Sequence, residues 1–162
     1  MSLSFETLIE FESVLSKYTG APYVVLTDSC THAVELCMRL KTPGPCVIPA
    51  HTYVSIPMIF YKLGVPFYYD THLDWEYEYR LAPSSNKDEY TKLKRMAYDG
   101  RDLQITPWQD QQEWNIGYHY GMRLEDAQLG IQMMANGNLN YKESQLVEYP
   151  DCSKLNIDKS PK

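Results

Sequence analysis

Residues 23–70 read YVVLTDSCTHAVELCMRLKTPGPCVIPAHTYVSIPMIFYKLGVPFYYD, and the punctuation of this stretch decides the fold. Tyr23-Val24-Val25-Leu26 is a continuous apolar, β-branched run, the pattern of a strand buried on both faces. Asp28, Ser29 and Thr31 are cap-type residues that open a helix. An apolar stripe through Ala33, Val34, Leu36, Cys37 and Leu40 continues that helix until Pro43-Gly44-Pro45 stops it. Cys46-Val47-Ile48 reads as a second short strand and Pro49 to Thr52 as a turn. Tyr53 to Leu63 reads as another helix, started or kinked at Pro57 and closed by Gly64. Val65 to Tyr69 reads as a third strand, ending at Asp70. Strands alternating with crossover helices imply a parallel sheet covered by helices. The expected class is α/β, a partial three-layer αβα domain with a mostly parallel sheet.

Upstream, Phe5, Leu8, Ile9, Phe11, Leu15 and Tyr18 recur at spacings of three and four, an amphipathic helix ended by Gly20 and Pro22. Downstream the pattern breaks after Asp70. Thr71 to Arg80 is polar and aromatic, and residues 82–90 begin with linker composition, Ala82-Pro83-Ser84-Ser85-Asn86. Lys87 to Ala97 forms a charged helix with Tyr90, Leu93, Met96 and Ala97 on one face. Asp99-Gly100-Arg101-Asp102 ends it, Thr106 to Trp114 reads as polar loop, and Leu124 to Met134 is a further helix. The organisation is residues 1–81, a linker at 82–90, later helices over 91–135 and a tail over 136–162.

At 162 residues the chain is the size of one domain. Lys and Arg total 15 against 21 Asp and Glu, a net charge of −6, which argues against nucleic acid or an anionic membrane as partner. The N-terminal stretch has no basic and apolar leader pattern, and no window approaches the ~18 apolar residues of a membrane span. Cys30, Cys37, Cys46 and Cys152 contain no C-x-x-C pair, as expected of reduced thiols in a cytoplasmic protein.

Thr27 to Ala33 joins a strand to a helix, and the unpaired N–H groups of a helix N-terminus suit an anion such as phosphate. Ser29 and Thr31 add hydroxyls. Plain N-capping explains the same residues. Cys30 at that position is also a candidate nucleophile, because a helix N-terminus lowers a thiol's pKa, with His32 or His51 as base. A zinc site from these residues with Cys37 and Cys46 fits no known ligand spacing, so no metal is expected.

FESVLSKYTGAPYVVLTDSCTHAVELCMRL followed by VIPAHTYVSIPMIFYKLGVPFYYD resembles the start of the DegT/DnrJ/StrS-type sugar aminotransferases, pyridoxal-phosphate enzymes of the aspartate-aminotransferase superfamily. Ser29, Cys30 and Thr31 stand at the family's Ser-Gly-Thr, with Asp28 for its Asn, so the resemblance implies that they hold the cofactor phosphate. Cys30 for Gly requires a negative φ there. Pro49, Thr52 and Tyr53 match Pro-x-x-Thr-aromatic, which implies that Tyr53 stacks on the pyridine. LKRMAYDGRD resembles the family's later helix and turn. GYHYGMRLEDAQLGIQM resembles its Gly-Tyr-Asn-Tyr-Arg-Met segment and following helix. Gly117, Tyr118, Tyr120 and Met122 match. His119 replaces the Asn that reaches the neighbouring subunit's cofactor phosphate, and Gly121 replaces the Arg.

The resemblance covers residues 3–70 and 87–135 and makes residues 1–81 and 91–135 parts of one large domain. Transamination needs a lysine for the Schiff base and a carboxylate on the pyridine nitrogen. In the family both lie between the third strand and the Gly-Arg-Asp turn, an interval reduced here to Thr71–Tyr90, with neither motif. Lys87 is the one lysine offered in their place. Three readings follow: a shortened family member that keeps phosphate binding with impaired catalysis; a non-catalytic partner, as homodimer or paired with a full-length relative; or part of an intact aminotransferase whose interval is missing.

Overall fold

In the computed structural model of the chain, which describes residues 4–41, 44–72, 86–105, 108–137 and 149–157, two compact units are distinguished. One comprises Met1–Leu40 with Arg80–Asn140, the other Lys41–Tyr79 with Tyr141–Lys162.

In the first unit, α1 (Phe5–Thr19) starts where the Ser4 hydroxyl accepts from the Glu6 N–H and ends at Gly20, whose φ of 74° is left-handed. Its apolar face, Leu8 and Phe11, enters a core shared with Val24, Leu26, Leu36, Ala97, Tyr98 and Ala127. α2 (Cys30–Leu40), α4 (Lys87–Ala97) and α5 (Leu124–Ala135) complete the helices. α1 packs on α5 and α2 on α4. Gly130 permits the first contact, since a Cβ there would lie 2.3 Å from the Phe11 ring.

The helices expected at 87–97 and 124–134 lie where their periodicity places them. α2 begins at Cys30, three residues before its apolar stripe, because Ser29 caps it. Tyr23–Leu26 corrects the first expectation: it is not a ladder strand. Val24 and Leu26 are buried, but side chains of the surrounding core supply that burial. The backbone pairs only beyond them, at an antiparallel bridge between Thr27 and Gly121. A both-faces-buried pattern reports burial, whatever element provides it.

In the second unit, β1 (Cys46–Pro49) and β2 (Phe67–Asp70) pair in parallel, Cys46 opposite Phe67 and Pro49 opposite Asp70. They are joined by α3 (Ser55–Leu63). Two ladder strands therefore stand among the described residues where three were expected. β2 starts two residues late because the Val65 N–H closes α3 on the Phe60 carbonyl and Pro66 has no N–H. Pro57 sits in the first turn of α3, where its missing donor costs no hydrogen bond. The supposed tail contributes here. The Cys152 N–H donates to the Ala50 carbonyl at 2.7 Å, and Asp151 bridges His51. The proposed linker's first residues, 82–85, and tail residues 138–148 and 158–162 lie outside the described residues.

Candidate functional site

The turn before α2 is built by short-range hydrogen bonds. The Thr27 hydroxyl donates to the Ser29 carbonyl at 3.0 Å. That same carbonyl accepts the first helical bond from the Ala33 N–H at 3.1 Å. The Ser29 hydroxyl accepts from the His32 N–H at 3.3 Å, the ordinary N-cap role. Cys30 is the first helical residue. Asp99 is the sole non-glycine at positive φ among the described residues, so the backbone at Cys30 has the negative φ that replacing Gly requires. Thr31 is half-buried in the first turn.

The turn meets the Gly-Tyr-His-Tyr segment directly. The Asp28 N–H donates to the Tyr120 carbonyl at 2.8 Å, beside the Thr27–Gly121 bridge. On its other edge this segment lies against the end of α4. The Tyr118 N–H donates to the Met96 carbonyl (2.7 Å) and the Tyr120 N–H to the Ala97 carbonyl (3.0 Å), and Tyr98 bridges His119. The turn after α4 approaches as bare backbone: a Cβ on Gly117 would fall 1.9 Å from the Gly100 nitrogen.

Side chains form a stack above this junction. The His32 ring lies 3.6 Å from Tyr120, nearly parallel at 3°, and Tyr120 stacks on Tyr118 at 5.2 Å. The Arg39 guanidinium covers Tyr118 at 4.6 Å. Arg39 also pairs with the buried Glu35 at 2.7 Å, which accepts from the Tyr120 hydroxyl at 3.3 Å. His32 Nδ1 is 2.6 Å from Asp28 Oδ1. His119 is highly exposed, with Nδ1 3.1 Å from Asp99 Oδ2. Sequence reasoning missed these pairs, although Asp28/His32 and Glu35/Arg39 stand at the i,i+4 spacing that announces helical neighbours.

Ser29, Cys30 and Thr31 therefore share one unit with His119, on adjoining segments. Tyr53 belongs to the other unit. Its ring is exposed and lies edge-on to Tyr149 at 6.2 Å, while Thr52 beside it is buried and its carbonyl accepts from the Cys152 thiol. Lys87 is exposed at the first position of α4, after the Asn86 cap. The nucleophile idea for Cys30 runs against its surroundings: partial burial pushes the thiol above its ordinary range, away from an activated thiolate. All four cysteines are free thiols, and no group of metal-ligating side chains occurs among the described residues. No helix among them is long and apolar enough to cross a membrane.

Residues 2–77 match the model of the DegT/DnrJ/EryC1/StrS aminotransferase family. That match spans 76 of the chain's 162 residues. Among solved structures, NtdA from Bacillus subtilis with bound cofactor PMP shares the fold of this chain, with a TM-score of 0.62 at 16% identity. The match covers 79% of this chain and 47% of NtdA, so the chain spans about half the length of the structure it matches. No curated protein matches it significantly.

Proposed function

We propose that this DegT-type chain is a pyridoxal-phosphate aminotransferase-related protein that retains the cofactor-phosphate turn and has impaired or no catalysis. One observation carries the reading. The Ser29-Cys30-Thr31 turn and the Gly-Tyr-His-Tyr segment, distant in sequence, are joined by the Asp28 N–H to Tyr120 carbonyl bond and the Thr27–Gly121 bridge. The donor set suits a phosphate in kind: hydroxyls of Ser29 and Thr31 beside the N–H groups and partial positive charge of a helix start. In this reading Cys30 contributes its backbone, and His119 of one copy reaches the phosphate held by another. When bound, the cofactor would supply the electron sink for amino-group chemistry. Thr71–Tyr90 lacks the motifs for the Schiff-base lysine and pyridine-pairing carboxylate, and Lys87 is the remaining candidate for the first. The setting would be cytoplasmic sugar biosynthesis.

The test is titration of the purified chain with pyridoxal phosphate. Saturable binding that Ser29→Ala weakens supports the reading, and absence of saturable binding overturns it. A borohydride-trapped adduct confined to Lys87 would revive the enzyme reading, with Lys87 as its lysine.

A second reading, a non-catalytic partner pairing with itself or a full-length relative, is favoured by the β1–β2 pair. Val47 and Tyr68 are register partners and are 59% and 67% exposed, an apolar pairing on an open sheet face. Sedimentation at micromolar concentration separates the cases, since a lone monomer argues against pairing with itself.

A further inference from the structure

The phosphate turn carries its own anion. Where the family pattern has an amide, this chain has Asp28, one residue before the N-cap of α2. Its Oδ1 lies 2.6 Å from His32 Nδ1 and accepts from the Ser29 hydroxyl at 3.3 Å. A serine hydroxyl has one proton. While that proton points at Asp28, Ser29 offers an external anion only lone pairs, and one of these already takes the His32 N–H.

Asp28 has a partner on its backbone as well as on its carboxylate. Its N–H is tied to the Tyr120 carbonyl at 2.8 Å, and the imidazole that holds its carboxylate is itself pressed flat against Tyr120. The arrangement recurs at the second carried-over donor, where His119 Nδ1 sits on Asp99 at 3.1 and 3.3 Å. The nearest cation along α2 brings no relief, because Arg39 is paired with Glu35. The field that would attract a phosphate to a helix start also stabilises a carboxylate there.

We infer that Asp28 is a built-in competitor for the anion position at the start of α2, so that it sets how weakly this chain holds a phosphate group. This rests on the assignment of that turn made under the proposed function. It makes Asp28 a specificity-determining residue acting through charge and through possession of the Ser29 proton.

The test compares the full chain with its Asp28→Asn variant by calorimetric titration at pH 7.5 and fixed ionic strength. The probes are inorganic phosphate and pyridoxal phosphate, with pyridoxal as the control lacking the phosphate. Asp28→Asn is expected to bind inorganic phosphate about tenfold tighter, the equivalent of about 1.4 kcal/mol of relieved repulsion, with pyridoxal unaffected. Asp28→Ser, checked like the first variant for retained helical circular dichroism, is expected to shift in the same direction. Unchanged or weaker phosphate affinity in both variants overturns the inference, and so does failure of all three proteins to bind phosphate. The cofactor reading fails separately. If phosphate affinity rises on Asp28→Asn but pyridoxal phosphate binds no tighter than inorganic phosphate, the inference stands and that reading does not.

Discussion

The ring of Tyr98 occupies the space that a side chain at Gly121 would need: a Cβ there would lie 2.2 Å from the ring. Tyr98 is buried, its hydroxyl donates to the Leu26 carbonyl at 3.4 Å, and burial, with the charge of Glu12 adding, pushes its phenol far above the ordinary range. Gly121→Ala must therefore displace a core ring, and overpacking of this kind costs about 2 kcal/mol. A lowered urea midpoint with an unchanged m-value is the expected result. Gly121→Arg, which restores the family's residue, is expected to destabilise the chain further.

The pair formed by Glu12 and Lys94 gives a second prediction. Lys94 Nζ lies 2.7 Å from Glu12 Oε2, the Tyr90 hydroxyl donates to the same oxygen at 2.9 Å, and both charged side chains are largely buried. Burial raises the Glu12 carboxyl against the opposing pull of Lys94. Burial alone would lower Lys94, but its bond to and the charge of Glu12 outweigh that and leave it raised. Lys94→Met strands a buried carboxylate and is expected to cost about 3 kcal/mol in chemical denaturation. Glu12→Leu added to Lys94→Met is expected to recover most of that loss. Because Glu12 is raised on folding, its contribution to stability is full below the ordinary carboxylate range and is lost as pH rises through the raised value. Glu12→Gln should remove that slope from a plot of stability against pH.

Asp151 gives the opposite sign. Hydrogen bonds from the Ser153 hydroxyl, then Lys154, hold its carboxyl down at about 2. Its contribution is present above the ordinary value and lost as pH falls through about 2. Ser153→Ala should move the Asp151 carboxyl upward in an NMR titration, towards the ordinary aspartate value. An unmoved titration would show that the hydroxyl is not what depresses it.

How much of this was legible depended on the kind of interaction. α4 and α5 follow from helical periodicity, and the β1–α3–β2 crossover follows from apolar runs bounded by Gly and Pro. Tyr23–Leu26 reads as a strand because apolar patterning cannot say whether neighbouring backbone or neighbouring side chains provide burial. Gly121 looked like the simple loss of a cation, since nothing local reveals a ring arriving from Tyr98. Gln111 reads in sequence as one residue of a polar loop. It is buried, accepts from the Asp102 N–H, and donates to the Asp102 and Ile105 carbonyls, fastening a turn whose partners are visible only in three dimensions. Cys152 likewise reads as one small residue in a polar tail, yet it is almost completely buried. For the candidate site, the resemblance pointed to Ser29, Cys30, Thr31 and His119 as residues to place. That Asp28 and Asp99 hold two of them needed coordinates.

The parallel register of β1 and β2 has a consequence for the order of folding events. Antiparallel neighbours can zip from a tight turn, whereas these two strands cannot meet until the chain between them has folded back on itself. α3 is that connection, closed at Gly64 and sealed by the Val65 N–H. The first β1–β2 hydrogen bond therefore has to close the whole loop that carries α3, an entropic cost a tight hairpin does not bear.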